Sequence, residues 1–194
     1  ANVDECVIAW KTFAGPVVMK IVSPDLPHKT EVGGVLLNID GEKAIRQGHA
    51  TLLERALAAK PEAQIDGVIV AEMIKGGVET VMGVVRDPVF GPVVMFGIGG
   101  VFVEVLKDVT FRIAPFGIDE ARRMIDCIRG RAMLDGVRGA PPSDIESLAE
   151  ALSRLSVFAA ANSGAIESID INPFIVLPKG AAAVDALIIP REVG

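Results

Sequence analysis

The sequence predicts an α+β protein built as two halves. Three observations carry that expectation. Apolar runs of strand length outnumber segments with helical periodicity, of which there are three. Half of the 194 residues are apolar, 51%, against 23% charged, so each half can bury a core. The pattern also changes at Ile74-Lys-Gly-Gly77: strands with one helix precede it, strands with two helices follow. Two α+β halves meeting at a hinge make a common ligand-site layout. The expected division is 1–75 and 76–194.

In the first half, Pro16 to Val22 reads as a buried strand after a Gly-Pro turn. Ser23 to Gly34 is polar and ends in two glycines, so it reads as a loop. Val35 to Ile39 is a second strand, which makes a strand-loop-strand hairpin with a glycine-rich tip. Asp40 is placed to cap a helix from Gly41 to Lys60, whose apolar residues Ala44, Ile45, Leu52, Leu53, Ala56 and Leu57 fall near helical spacing before Pro61. Asp66-Gly67 then turns into a strand from Val68 to Met73.

In the second half, Val78 to Arg86 and Val93 to Phe96 read as paired strands, and Gly97 to Gly100 as a flexible link. Thr110 to Ile113 is another strand. Asp119 to Ile128 is a helix with an acidic first turn. A second helix spans Ser143 to Ala160, with Ser143 and Glu146 in a capping-box arrangement. Ile166 to Val176 and Ala182 to Ile188 close the chain as two strands around a Pro178-Lys-Gly180 turn.

Charge and composition exclude several classes. The net charge is -6, and no stretch gathers Lys and Arg densely enough to track a phosphate backbone, which argues against a nucleic-acid partner. The longest uncharged run, Pro88 to Val103, is broken by glycines and prolines and is short for a bilayer span. The segment Ala1 to Glu5 is not a signal peptide. Cys6 and Cys127 fit no zinc or redox spacing and read as ordinary thiols of a reducing compartment. A soluble, cytoplasmic protein without a membrane partner is expected.

Four groups of residues could carry chemistry. Lys20, at the end of an apolar strand, can reach a phosphate or snorkel to water. The segment His28-Lys-Thr-Glu-Val-Gly-Gly34 can expose backbone N–H groups to phosphate oxygens, or be a plain hairpin tip; it matches neither the P-loop nor the dinucleotide fingerprint. Glu72 and Glu79 flank the hinge segment, where bare backbone can meet an adenine edge and a carboxylate can accept ribose hydroxyls. The bland alternative is two solvated acids. Asp170 and Asn172 share a strand face by alternation, and the hairpin can bring Asp185 beside them. Such hard oxygen donors suit Mg2+, or form a cross-strand polar pair. Beside these groups, Glu104, Lys107 and Arg112 follow the glycine link. Arg112 can clamp a phosphate, or form a salt bridge with Glu104 or Asp108. His49 reads as a surface residue and Trp10 as packing.

Taken together, the segments Pro16 to Asp25, His28 to Val35, Glu72 to Glu79, Arg86 to Pro92, Phe96 to Gly100, Phe102 to Lys107 and Asp170 to Pro173 resemble the nucleotide-binding region of NDP-forming acetyl- and acyl-CoA synthetases. The order and spacing fit from about Ala14 to Ile189. The resemblance implies an ATP-grasp fold, two α+β subdomains with a nucleotide cleft between them. It implies that Lys20 contacts phosphate and that Gly33 and Gly34 belong to a mobile loop. Backbone around Glu72 and Met73 would face adenine, and Glu79 would hold the ribose. Asn172 and Asp185 would bind Mg2+, and His28 would take part in passing phosphate between ATP or ADP and a partner's phosphohistidine. Succinyl-CoA synthetase has Glu where this chain has Asp170, which leaves a metal contact there open. The family's region begins some tens of residues earlier, so leading elements of the first subdomain are expected to be missing.

The function implied is acid–CoA ligation with ADP or GDP, by phosphoryl transfer, in company with CoA-binding and phosphohistidine-bearing domains or a subunit. A homo-oligomer stays open. The alternative is a nucleotide-sensing regulatory module, since similar regions occur fused to protein acetyltransferases.

Overall fold

The computed structural model describes residues 1–100, 103, 105–137 and 139–191. The chain divides into two compact units, Ala1–Met73 and Ile74–Gly194.

The first unit is a three-stranded antiparallel sheet with two helices on one face. The helices are α1 (Val3–Trp10) and α2 (Glu42–Ala59), and the strands β1 (Val17–Val22), β2 (Val35–Ile39) and β3 (Gly67–Glu72) lie in the order β2-β1-β3. The central strand is buried along most of its length. Its alternate residues Val17, Met19 and Ile21 join Cys6 and Val7 of α1 and Ile45, Leu52 and Ala56 of α2 in one apolar cluster. On α2 the buried positions are Ile45, Gly48, Leu52 and Ala56, one narrow stripe at helical spacing, while Leu57 is exposed.

Helix α1 is absent from the sequence expectation. It is eight residues long, and its start is a capping box: Asn2 accepts from the Glu5 N–H and Glu5 accepts from the Asn2 N–H. Trp10 at its end donates to Asp40 at 3.3 Å. Asp40 is thereby engaged, and it does not cap α2 as expected. The N-cap of α2 is Gly41, without a side-chain bond.

The second unit is a six-stranded sheet. Its strands are β4 (Val78–Asp87), β5 (Gly91–Ile98), β6 (Val109–Ile113), β7 (Ile166–Val176), β8 (Ala181–Ala183) and β9 (Ala186–Pro190), in the order β6-β5-β4-β7-β8, with β9 also on β7. Between β6 and β7 come α3 (Ile118–Asp126), a 3-10 helix (Arg129–Asp135) and α4 (Ile145–Ala161). Helix α3 contributes Met124 and Ile125, and α4 contributes Leu148, Leu152 and Leu155, to a core with Met82, Val84, Val94, Phe96 and Ile169 of the sheet. The opposite sheet face leaves Val85 and Phe111 half exposed.

Three local expectations change in this unit. The glycine link is not free chain: β5 runs through Ile98, and the Gly99 N–H donates to the Glu79 carbonyl at 2.8 Å. The predicted strand Ala182 to Ile188 is broken at Val184-Asp185 into β8 and β9. Helix α4 is capped by Asp144 rather than Ser143. One oxygen of Asp144 accepts from the Ser147 N–H at 3.0 Å. The other accepts from the Ser147 hydroxyl at 2.9 Å and the Gly180 N–H at 2.8 Å. A carboxylate can satisfy all three donors where a serine hydroxyl cannot. Glu146, expected to close the box, is instead paired with Arg122 at 2.6 Å.

Candidate functional site

In the first unit the chain assembles Lys20 and the glycine loop around β1. Lys20 lies inside the strand, opposite Val35 on one side and Ile69 on the other, not at the strand end. Alternation sets it on the face away from the helices, where it is nevertheless buried. The Ile21 N–H donates to the Gly34 carbonyl at 2.9 Å, so the loop exit is held one residue from Lys20. A Cβ on Gly34 would meet Ile21 Cγ2 at 2.7 Å and the Lys29 carbonyl at 2.9 Å; this close approach requires glycine. His28 is exposed at the other end of the loop.

The loop is folded by its own backbone. Glu31 donates to His28, Gly33 to Thr30, and Gly34 to Lys29 at 2.7 Å. Gly33 has φ of +64°. Two side-chain contacts from outside the loop add to the Ile21 bond in holding its ends. Asp25 at the entry accepts from Lys60 at 2.5 Å and from the Gln64 N–H at 2.8 Å. These two hydrogen bonds, Lys60's first, hold its carboxyl below the usual aspartate range. At the exit, Arg55 of α2 donates to the Gly33 carbonyl at 3.1 Å.

Glu72 does not join this group through its side chain. It pairs with Val17, on the helix-covered face of the sheet, opposite to Lys20. What the position offers is main chain at the end of β3, followed by Met73.

In the second unit Glu79, Asp170 and Asn172 share the sheet face that the helices leave uncovered. All three are exposed, while Thr80, Met82, Ile169 and Phe174, on the other parity, are buried. The Glu79 main chain is fixed from two sides, by pairing with Ile175 and by the Gly99 N–H. Beside it the buried Thr80 hydroxyl donates to the Phe174 carbonyl at 2.7 Å. Between Thr80 and Met82 the register with β7 shifts, so that Asn172 and Pro173 together oppose Val81. That is a β-bulge, a device that re-aims a side chain within a sheet. The strand break on the far side of β7 matches it. The Asn172 N–H donates to the Asp185 carbonyl at 3.2 Å, and the Val184 N–H to the Pro173 carbonyl at 3.0 Å. The main chains of Asn172 in β7 and Asp185 in the break between β8 and β9 are therefore adjacent.

Arg112 stands elsewhere. It pairs with core-facing Val94 and turns to the helix side. There it donates to Glu120 at 2.6 Å, to Thr110 and the Phe111 carbonyl, and to Cys127 Sγ at 3.4 Å. The salt-bridge alternative describes it, with Glu120 as partner rather than Glu104 or Asp108. Buried Asp108 is occupied in accepting from the Arg129 and Gly130 N–H groups, which start the 3-10 helix. Glu104 and Phe102 lie outside the described residues. His49 is half-buried on α2, not a fully exposed surface residue. Burial pushes the Cys6 thiol up, consistent with an unreactive thiol.

Sequence reasoning missed Arg55, Thr80 and Gly99. Arg55 and Gly33 are 22 positions apart, and no local motif links them. For Gly99 the signal existed, since a glycine straight after a strand often marks close backbone approach.

The donors at Asn172 and Asp185 are an amide and a carboxylate oxygen, a set that fits Mg2+ sharing its shell with water and phosphate. Among the described residues, no group of three or more His, Cys, Asp and Glu side chains is arranged to hold a metal by itself. No helix among them is long and apolar enough to cross a membrane.

Residues 1–189 match the ATP-grasp domain family. The chain belongs to that family. This ATP-grasp domain is 44% identical over 184 residues to the ADP-forming acetate–CoA ligase I of Archaeoglobus fulgidus; the match covers 95% of the chain and 27% of that protein. It is 43% identical over 188 residues to the beta subunit of the ADP-forming acetate–CoA ligase I of Pyrococcus furiosus, covering 97% of the chain and 81% of the subunit. The chain thus spans about a quarter of the Archaeoglobus ligase and about four fifths of the Pyrococcus beta subunit. Among solved structures it is similar to the dinucleotide-forming acetyl-coenzyme A synthetase 1 of Ca. Korarchaeum cryptofilum in complex with coenzyme A and Ca-AMPCP, with a TM-score of 0.95 at 43% identity over 98% of this chain and 82% of that one. The same synthetase with coenzyme A and Mg-AMPPCP has its phosphohistidine segment pointing towards the nucleotide-binding site; there the TM-score is 0.84 at 40% identity, over 98% and 83%.

Proposed function

We propose that this ATP-grasp domain is the nucleotide-binding part of an ADP-forming acid–CoA ligase, and that it moves a phosphoryl group between ATP or ADP and a histidine of a partner domain or subunit. The observation that carries this reading is the bulged edge of β7. It sets Asn172 on the sheet face that also bears Glu79 and brings its main chain against that of Asp185, in a chain 43% identical along 97% of its length to a ligase beta subunit. On this reading the units Ala1–Met73 and Ile74–Gly194 serve as the two subdomains, expected from the sequence as 1–75 and 76–194.

Each role is assigned in keeping with the residue's place. The Lys20 ammonium, held in the sheet beside the loop exit, neutralises phosphate charge. The folded backbone of the loop through Gly33 and Gly34 offers N–H donors to phosphate oxygens. The main chain at Glu72 and Met73 meets the adenine edge, and Glu79 accepts the ribose hydroxyls. Asn172 and Asp185 hold Mg2+, which when bound screens the charge on the phosphates. Asp170 faces the same way and is a further oxygen donor. His28, exposed at the loop entrance, takes part in the transfer as a carrier or a positioning cation. Phosphoryl transfer asks for positioning and charge neutralisation more than covalent chemistry, and these groups supply both. Arg112 is left out of this set, because its donors serve α3 and the end of β6.

Calorimetric titration of Mg-ATP into the protein tests the reading, with Glu79→Ala beside it. Saturable binding is expected, weakened about tenfold or more in the variant through loss of a charge-assisted hydrogen bond. Equal affinity in the two proteins removes Glu79 from the ribose.

A further inference from the structure

Two side-chain contacts with one scaffold hold the loop from Ser23 to Gly34, in addition to the main-chain bond from Ile21 to the Gly34 carbonyl. At the entry, the Asp25 carboxylate bridges Lys60, just past the end of α2, and the Gln64 N–H. At the exit, Arg55, one turn earlier on α2, donates to the Gly33 carbonyl. The stem of Arg55 also lies against Gly33: a Cβ there would meet Arg55 Cδ at 3.2 Å and Nη1 at 3.3 Å. Between the clamps the chain closes on itself through the His28, Lys29 and Thr30 carbonyls. The segment carrying His28 and both glycines therefore runs between two side-chain clamps, with Val32 packed against the apolar core between them.

We propose that Arg55 is a positioning residue for phosphoryl transfer, one that holds the exit of this loop through the Gly33 carbonyl while Asp25 holds the entry. The inference rests on the reading of His28 and the glycine loop given above, and it assigns Arg55 no contact with nucleotide. Its logic is energetic. An exposed hydrogen bond of this kind adds little to global stability, because water replaces it on opening. Its effect on a transfer step is larger, since a shift of about 1 Å in a reacting group can cost on the order of a hundredfold in rate. Asp25 cannot substitute for it. Lys29 to Gly34 lie downstream of Asp25, and without Arg55 the exit keeps only the main-chain bond from Ile21 to the Gly34 carbonyl, which leaves the Gly33 peptide able to reorient.

The test uses the complete synthetase that contains this chain, with Arg55→Met, Arg55→Lys and His28→Gln. The methionine keeps the apolar stem and removes every donor; the lysine keeps one donor. Three quantities are read: amide exchange across residues 28–34, the rate of phosphoryl transfer from radiolabelled ATP to the protein, and the ATP concentration giving half-saturation. In Arg55→Met, exchange in the loop should quicken about tenfold while that in β1 and β3 stays put. The transfer rate should fall about ten- to a hundredfold, with half-saturation changed by less than about twofold. Arg55→Lys should recover a large part of the rate.

Unchanged exchange in Arg55→Met overturns the clamp. A slowed transfer without faster exchange also overturns it, because Arg55 would then be acting on the phosphate directly. Faster exchange with a wild-type rate, alongside a slow His28→Gln, sinks the positioning role and leaves the proposed function standing. A wild-type rate in His28→Gln sinks the functional reading itself, while the exchange data still decide whether Arg55 holds the loop.

Discussion

Asp144 shows how much one side chain can organise. Its carboxylate satisfies the first turn of α4 through Ser147 and reaches across to Gly180 in the turn after β7. The Ser147 N–H and the Gly180 N–H, in that order, with the Ser147 hydroxyl after them, hold its carboxyl below the usual aspartate range. A depressed value stabilises the fold above the ordinary aspartate range, and the contribution is lost as pH falls through the lowered folded value. Asp144→Ala is therefore expected to lower Tm by a few degrees at neutral pH. The gap from wild type should narrow as the pH is taken below the ordinary aspartate range. Thermal melts followed by circular dichroism across that range would read it, and a gap constant with pH would show that the charge has no part in it.

At the scale of elements, α2 is where packing and the candidate chemistry meet. Its buried stripe presses on β1 and β2, and it approaches them closely at Gly48. A Cβ there would meet the Met19 thioether at 3.0 Å and Leu36 Cδ1 at 3.3 Å. A mid-helix glycine costs about 1 kcal/mol relative to alanine, and here it lets the helix sit against the sheet. Gly48→Leu is expected to destabilise the first unit by about 1–3 kcal/mol through overpacking. It should also loosen the glycine loop, because Arg55 rides on the same helix. Denaturant unfolding together with amide exchange in residues 28–34 checks both effects; an unchanged unfolding midpoint would mean that the helix is not held there by close contact. In the second unit the corresponding element is the bulge of β7. One extra residue against Val81 resets the alternation, so that Asn172 faces out while Phe174, two positions on, faces the core.

For the molecule as a whole, the decisive figure is its share of its relatives. It spans 27% of one ligase and 81% of a ligase beta subunit. The residues described in its two units are proposed to serve a nucleotide and its metal rather than a thioester. Purified alone, the chain is expected to bind Mg-ATP and to form no acyl-CoA from acetate, coenzyme A and ATP. Addition of the remaining domains or subunit should restore the reaction. Thioester formation by the isolated chain, followed by chromatography of the acyl-CoA, would show that the division of labour is drawn in the wrong place.

The sequence by itself determined the α+β class, the family and the order of most strands and helices, though not α1 or the break between β8 and β9. These are local matters. Strand runs, turn glycines and motif spacing are written along the chain, and hydrophobic periodicity needs no partner to be seen. It did not determine how polar groups choose among partners, because that choice depends on which donors folding brings within reach. Asp144 displaced Ser143 as a cap since Gly180 arrived from 36 residues away. Asp40 was taken by Trp10, 30 residues earlier in the chain, and Arg112 by Glu120 across the sheet edge. Sheet register decided the rest: it turned Glu72 away from Lys20 and placed the bulge that brings Asn172 beside Asp185. A shift of one residue in pairing exchanges the two faces of a strand, and pairing partners are fixed by contacts distant in the chain, which only the folded molecule makes.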